Sequence, residues 1–151
     1  MAAPVVGIIM GSASDDSTMQ KAAGILDDLG IPYDVTVCSA HRNPARTAEY
    51  ASTAEANGRK VIIAGAGLAA ALPGVLAAHT TLPIIGVPCA SGALNGLDAL
   101  YAIVQMPPGV PVACVGIDNA RNAAVLAAQI LALSDEGVRE RLKEYKSNLG
   151  K

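Results

Sequence analysis

Five short apolar runs, separated by segments of helical periodicity, constrain this chain more than any other feature. They are PVVGIIM (4–10), YDVTVCS (33–39), KVIIAGA (60–66), LPIIGVP (82–88) and VPVACVGI (110–117). Each is short, and all but 33–39 contain Gly or Pro, so none approaches the roughly 18–20 residues a membrane span needs. Runs of this kind without polar alternation predict strands covered on both faces. Between them, Met19, Ala22, Ala23, Leu26 and Leu29 fall at helical spacing within 15–29, and Gly30 supplies a stop. Asn43-Pro44 opens a second helix through a cap and a first-turn proline, and Gly58 ends it. A short helix is expected from about Leu72 to His79, a partial one within 95–105, and an Ala-rich one over 123–133. Ser134 is expected to open a last helix, about 134–149, with Val138, Leu142, Tyr145 and Leu149 on one stripe.

Strands alternating with helices imply parallel pairing through crossover connections. The expected architecture is a single-domain α/β fold spanning 1–151: a three-layer α/β/α parallel sheet of flavodoxin-like or Rossmann-like type. Its core spans 4–133, and a C-terminal helix docks on this subunit or a neighbour. With 52% hydrophobic and 16% charged residues, the composition excludes disorder. A net charge of −2 without a basic block argues against nucleic acid as a partner. The chain has no Phe or Trp, so the core must be built from Ala, Val, Ile and Leu. An apolar surface of small residues suits a neighbouring subunit, and an oligomer is expected. Cys38, Cys89 and Cys114 form no CxxC pair and read as buried reduced thiols, with a nucleophilic cysteine as the lesser reading. Two histidines do not make a His-rich metal site. The opening MAAPVVGIIMG lacks the basic segment of a signal peptide, and a soluble cytoplasmic protein is expected.

In open α/β sheets, ligands bind beyond the carboxyl ends of the strands. Four such ends here are small and polar: Gly11-Ser12-Ala13-Ser14-Asp15, Ser39-Ala40-His41-Arg42, Ala64-Gly65-Ala66-Gly67 and Pro88-Cys89-Ala90-Ser91-Gly92. Gly11 permits a tight turn, Ser12 and Ser14 offer hydroxyls, and the next helix presents free N–H groups. That combination suits a phosphate. Arg42 adds a bidentate cation, and Asp15 an acceptor for ribose hydroxyls. The plainer alternative is that Ser14 caps the helix and Asp15 favours its dipole. His41, in a turn directly after a strand and beside an arginine, is the candidate general acid/base. His79 reads as structural or as an interface residue. AGAGLAA (64–70) is no dinucleotide fingerprint, since GxGxxG does not fit it. It reads as backbone on which a flat ring packs, or as a turn that simply needs glycine.

Taken in order, GSASD, SAHR, AGAG, GVPCASGALNGLDAL, IVQMPPGVPVA and NARNAAVLAAQIL cover about residues 5–133. They resemble the N5-carboxyaminoimidazole ribonucleotide mutases of purine biosynthesis, the class typical of bacteria. The resemblance implies a flavodoxin-like subunit in a homo-octamer with sites at subunit contacts. It implies transfer of a carboxylate from the exocyclic nitrogen to a ring carbon, without metal or other cofactor. Ser12, Ser14, Ser39 and Arg42 would surround the ribose phosphate, and Asp15 would hold the ribose hydroxyls. His41 would be the acid/base group, Ala66 and Gly67 would line a carbon dioxide pocket, and IVQMPPG (103–109) would help close it. The chain departs from the family loop AGAGGAAHLPGM, reading AGAGLAAALPGV. Leu68 replaces a glycine and Ala71 a histidine. The related class that carboxylates aminoimidazole ribonucleotide directly carries Arg and Ser after AG, unlike Ala66 and Gly67. Rival readings are that direct carboxylase, a flavin-binding electron carrier, a phosphoacceptor receiver domain and an inactive structural homologue. A receiver would need an aspartate where the third strand ends in AGAG. A flavin carrier would need aromatic loop residues.

Overall fold

A computed structural model describes residues 2–151. Five parallel strands form one sheet: β1 (Val6–Met10), β2 (Tyr33–Val37), β3 (Val61–Gly67), β4 (Ile84–Cys89) and β5 (Ala113–Cys114). Their spatial order is β2-β1-β3-β4-β5, the flavodoxin-like order. Six helices complete the α/β fold: α1 (Asp16–Asp28), α2 (Pro44–Ala54), α3 (Leu72–His79), α4 (Leu97–Val104), α5 (Ala120–Ala132) and α6 (Glu136–Asn148).

Side chains alternate across the pleat, so one apolar run feeds two cores. Val6, Ile8 and Met10 of β1 join Ile63, Ile85 and Val87 beneath α1 and α5. Ile9 of the same strand joins Ile62, Ala64 and Ile84 beneath α2, α3 and α4. The central strands β1, β3 and β4 are almost wholly buried, as continuous apolar runs require. β2 is the exception. It is an edge strand, with Val35 and Val37 exposed and Asp34 paired to Arg59.

Small residues set the layer spacing. A methyl added at Gly86, in the middle of β4, would overlap Ile103 Cγ2 of α4, which is fully buried. α5 buries Ala120, Ala123, Ala124, Ala127 and Ala128 against the sheet and α1. α6 then packs outside α5 through Val138, Leu142 and Tyr145, while Arg141 Nε donates to the Leu29 carbonyl at the end of α1 (2.6 Å).

Four of the differences from the sequence reading have a distinct local cause. The fifth strand shrinks from 110–117 to two residues, because Pro111 and the turn at Gly116 interrupt the ladder at the sheet's edge. α5 begins at Ala120, since the Asn119 side chain accepts the Asn122 N–H. α6 begins at Glu136, because Asp135 rather than Ser134 is the cap, accepting from Val138 N–H (3.0 Å). Leu149 lies past the end of α6 and is 64% exposed, so it leaves the docking stripe.

Replacing Gly86 by Ala is expected to cost about 1–3 kcal/mol, because a β-branched neighbour buried in the core has nowhere to move. Urea unfolding of the variant beside the parent checks this, and an unchanged midpoint would contradict the packing described.

Candidate active site

The connections from β1 and β3 leave on opposite sides of the sheet, and a cleft opens between them at their carboxyl ends. Its volume is about 570 Å³. All eight residues singled out from the sequence line it: Ser12, Ser14 and Asp15 after β1, Ser39, His41 and Arg42 after β2, and Ala66 and Gly67 at the end of β3.

Each turn is held locally. Gly11 N–H donates to Gly65 O (3.1 Å) and Cys38 N–H to Met10 O (2.9 Å), carrying the ladders one residue past the strands. Asn43 N–H returns to Ser39 O (2.8 Å), closing a tight loop with His41 at its apex. Asn43 caps α2 through Arg46 N–H. In the first turn the capping residue is Ser12, not Ser14. Ser12 Oγ accepts from Ser14 N–H (3.2 Å) and from Ser14 Oγ–H (2.9 Å) at the head of a single 3-10 turn. Asp15 makes no side-chain cap.

This arrangement restricts what the hydroxyls offer. A serine oxygen has two lone pairs and one proton. Both lone pairs of Ser12 are filled. Ser39 Oγ likewise accepts twice, from Arg42 N–H and Arg42 Nε–H, each at 3.2 Å. Each of these two hydroxyls therefore keeps only its proton for a ligand. Arg42 Nη2 is anchored to Gly11 O (3.1 Å), and none of the ion pairs among the described residues involves Arg42. Two forced donors and an unneutralised guanidinium face one space, which is the chemistry of an anion cradle.

The opposite wall, Leu68 to Leu72, is wholly apolar. Leu68 adopts φ +54°, a left-handed conformation costly for a branched side chain. It stands 52% exposed at the rim and leans towards Gly92. Ala71 occupies the cap position of α3 and gives it no side-chain hydrogen bond.

Asp15 is half-buried. Burial pushes its carboxyl above the usual range, the neighbouring Cys89 thiol counters this, and the charge of Asp118 raises it further. The Cys89 thiol is itself pushed up to about 12, first by burial and then by the charges of Asp15 and Asp118. A thiol so held is protonated at neutral pH and no nucleophile.

Ser91, in the turn after the fourth strand that the sequence brought to the crevice, lines the cleft although no role was assigned to it. Asp118 faces Asp15 from a loop that carried no site signal, apart from an acidic residue directly after an apolar run. IVQMPPG (103–109) does not line the cleft of its own subunit. Ile103 is buried against β4 and Met106 rests on Gly74 of α3, so the segment is used in covering the sheet. His79 is exposed at the end of α3, outside the cleft. Among the described residues no group of three or more His, Cys, Asp or Glu could hold a metal ion.

The chain matches the AIR carboxylase family over residues 5–151. It belongs to that family. It is 59% identical over 146 residues to the N5-carboxyaminoimidazole ribonucleotide mutase of Pyrococcus abyssi, covering 97% of this chain and 84% of that one. It is 58% identical over 147 residues to the Bacillus subtilis protein of the same name, covering 96% and 91%. Against the phosphoribosylaminoimidazole carboxylase of Schizosaccharomyces pombe it is 53% identical over 146 residues, which is 97% of this chain but 26% of that protein. The crystal structure of Treponema denticola PurE superposes with a TM-score of 0.87 at 33% identity, covering 95% of this chain and 90% of that one.

Leu68→Gly is expected to raise stability by about 1 kcal/mol by relieving the left-handed leucine. A lower melting temperature in that variant would mean that the apolar contact at the rim outweighs the backbone cost.

Proposed function

We propose that the chain is an N5-carboxyaminoimidazole ribonucleotide mutase of purine biosynthesis, acting in the cytoplasm. It moves the carboxylate from the exocyclic nitrogen to ring carbon 4, giving 4-carboxy-5-aminoimidazole ribonucleotide. The observation that carries the reading is the cradle of Ser12, Ser39 and Arg42, which presents only donors and a cation to a phosphate. Ser14 and Asp15 line the same cleft, and Asp15 is the acceptor for the ribose hydroxyls in this reading. Ala66 and Gly67 offer a flat surface to the imidazole ring.

His41 supplies the proton transfers. As the imidazolium it protonates the exocyclic nitrogen while the nitrogen–carboxylate bond breaks, releasing carbon dioxide. Carbon 4 then attacks that carbon dioxide, forming the carbon–carbon bond. Neutral His41 removes the proton from carbon 4 and is again the imidazolium. The route draws only on the chain and its substrate. It requires that carbon dioxide stay beside the ring, which the apolar wall from Leu68 to Leu72 favours.

The relatives that match along most of their own length are named mutases, whereas the Schizosaccharomyces pombe carboxylase matches over only 26% of its length. That favours the mutase over direct carboxylation. No tyrosine lines the cleft among the described residues, and the chain has no Phe or Trp, which speaks against a flavin carrier.

The decisive assay supplies N5-carboxyaminoimidazole ribonucleotide in one arm, and aminoimidazole ribonucleotide with bicarbonate in the other. Fast turnover of the first alone is expected; preference for the second would make the chain a carboxylase, and turnover of neither would leave it an inactive homologue. His41→Asn should lower kcat by about 10²–10⁴-fold with KM little changed. Arg42→Ala should raise KM about tenfold or more through the lost charge-assisted contact. A near-normal rate in the first variant, or a normal KM in the second, would reverse the corresponding role.

We also propose assembly into a homo-octamer, with the outer face of α4 against a second copy. Leu97, Tyr101 and Val104 are 43%, 59% and 47% exposed and recur at the spacing of one helical stripe, and Leu94, 60% exposed, stands in the turn before it. Closure of a cleft by 103–109 then requires a neighbouring subunit. Tyr101→Asp is expected to yield a smaller species by light scattering, and an unchanged mass would remove α4 from the contact.

A further inference from the structure

Regular pairing between β4 and β5 ends at Gly86 with Cys114. Beyond it, the backbone of the next loop continues the ladder by other means. Val115 N–H donates to Gly86 O (3.2 Å), and Asp118 N–H to Pro88 O (2.8 Å). The Asp118 side chain then accepts the Ala90 N–H through Oδ1 (2.9 Å). Asp118 thus holds the chain on both sides of Cys89, the last residue of β4, with its backbone to Pro88 and its side chain to Ala90. It does so from φ +59°, a left-handed conformation that aspartate tolerates better than most residues.

What it holds is one wall of the cleft. The Cys89 thiol donates to Val87 O (3.6 Å) and neighbours the Asp15 carboxyl closely enough for each to shift the other's pKa. Ser91 lines the cleft, and a methyl at Gly67 would meet Cys89 O at 3.2 Å and Ser91 Cβ at 3.3 Å. A shift of this turn would therefore crowd Gly67 and change the surroundings of the Asp15 carboxyl. We propose that Asp118 is a positioning residue: by clasping the Cys89–Ser91 turn it sets the support on which Asp15 meets the ribose hydroxyls. This rests on the mutase reading for its substrate, but the clasp itself does not.

The charge on Asp118 gives a signature that a purely structural role lacks. Asp15 faces Cys89 from β4 and Asp118 from the β5–α5 loop, and shares the cleft with His41 and Arg42 of the β2–α2 turn. Ionised Asp15 accepts from hydroxyls through both oxygens, whereas the protonated acid gives up one acceptor for a donor, so binding weakens as pH falls through its pKa. Burial and then Asp118 hold that pKa above the ordinary range. Neutralising Asp118 therefore moves the acid limb of kcat/KM to lower pH.

Full-length Asp118→Ala and Asp118→Asn are compared with the parent in steady-state turnover of N5-carboxyaminoimidazole ribonucleotide across pH, and in iodoacetamide labelling of Cys89 mapped by peptide mass. Asp118→Ala should raise KM about tenfold with kcat nearly unchanged, and speed labelling of Cys89. Asp118→Asn keeps an acceptor for Ala90 and should recover most of the KM, yet shift the acid limb to lower pH. Parental KM in both variants with an unmoved limb would overturn the proposal. If Asp118→Ala does not fold, the limb in Asp118→Asn decides alone. If the parent itself does not turn over this substrate, the mutase reading fails; faster Cys89 labelling in Asp118→Ala would still support the clasp, and an unchanged rate would sink it.

Discussion

Because β1 pairs in parallel with β2 on one edge and β3 on the other, the connections that leave its carboxyl end and that of β3 must diverge to opposite layers. That divergence leaves a gap which no helix covers. The loops that border it are then free of the packing demands that fix the rest of the chain. Gly11 to Asp15, Ser39 to Arg42 and the end of β3 can be small and polar because they stand where the sheet stops. The cleft is in this sense a product of pairing order, and the residues on its rim supply the chemistry.

The second requirement is close approach between layers. A chain without Phe or Trp fills its cores with Ala, Val, Ile and Leu, and the layers come together until glycines mark the contacts. Gly86 meets Ile103 of α4, and Gly65 meets Met19 of α1. Tight layers fix the strand ends, and fixed strand ends hold short turns in one geometry. The hydrogen bonds that fill the lone pairs of Ser12 and Ser39 are individually modest. They gain their value from turns that do not move, since a flexible serine would as readily present a lone pair to a phosphate as a proton.

The cleft was legible in the sequence for a local reason. Each of Ser12, Asp15, Ser39, His41 and Gly67 stands at or within a few residues of an apolar strand's end, so the rule about carboxyl ends finds them without knowledge of the strand order. The strand and helix order was legible because the buried runs are continuous and punctuated by Gly and Asn-Pro. What was not legible depends on partners distant along the chain. Arg42 reaches Gly11 and Asp118 reaches Ala90 across intervals that periodicity does not see. The shortness of β5 belongs to the same class. VPVACVGI reads as a full strand, but it lies at the sheet edge, where a single proline and a turn at Gly116 end the ladder. The starts of α5 and α6 moved because Asn119 and Asp135 cap them, and a cap is decided by one side-chain hydrogen bond rather than by the apolar stripe.

The loop from Leu68 to Leu72 tests how much of a family's chemistry its fold requires. A leucine in a left-handed position and an alanine at a helix cap are both locally unfavourable choices, and they fall together on the one wall of the cleft that lacks polar side chains. On the proposed route this wall makes no proton transfer. The proton leaves and returns through His41 on the opposite side, and the phosphate is held by groups that Leu68 and Ala71 do not touch. What the wall must do is exclude water from a small uncharged intermediate, and for that purpose an apolar lining serves without any titratable group. The substitutions therefore bear on retention of carbon dioxide between the two bond changes. They leave both the binding of the ribonucleotide and the acid/base step to residues that this chain retains.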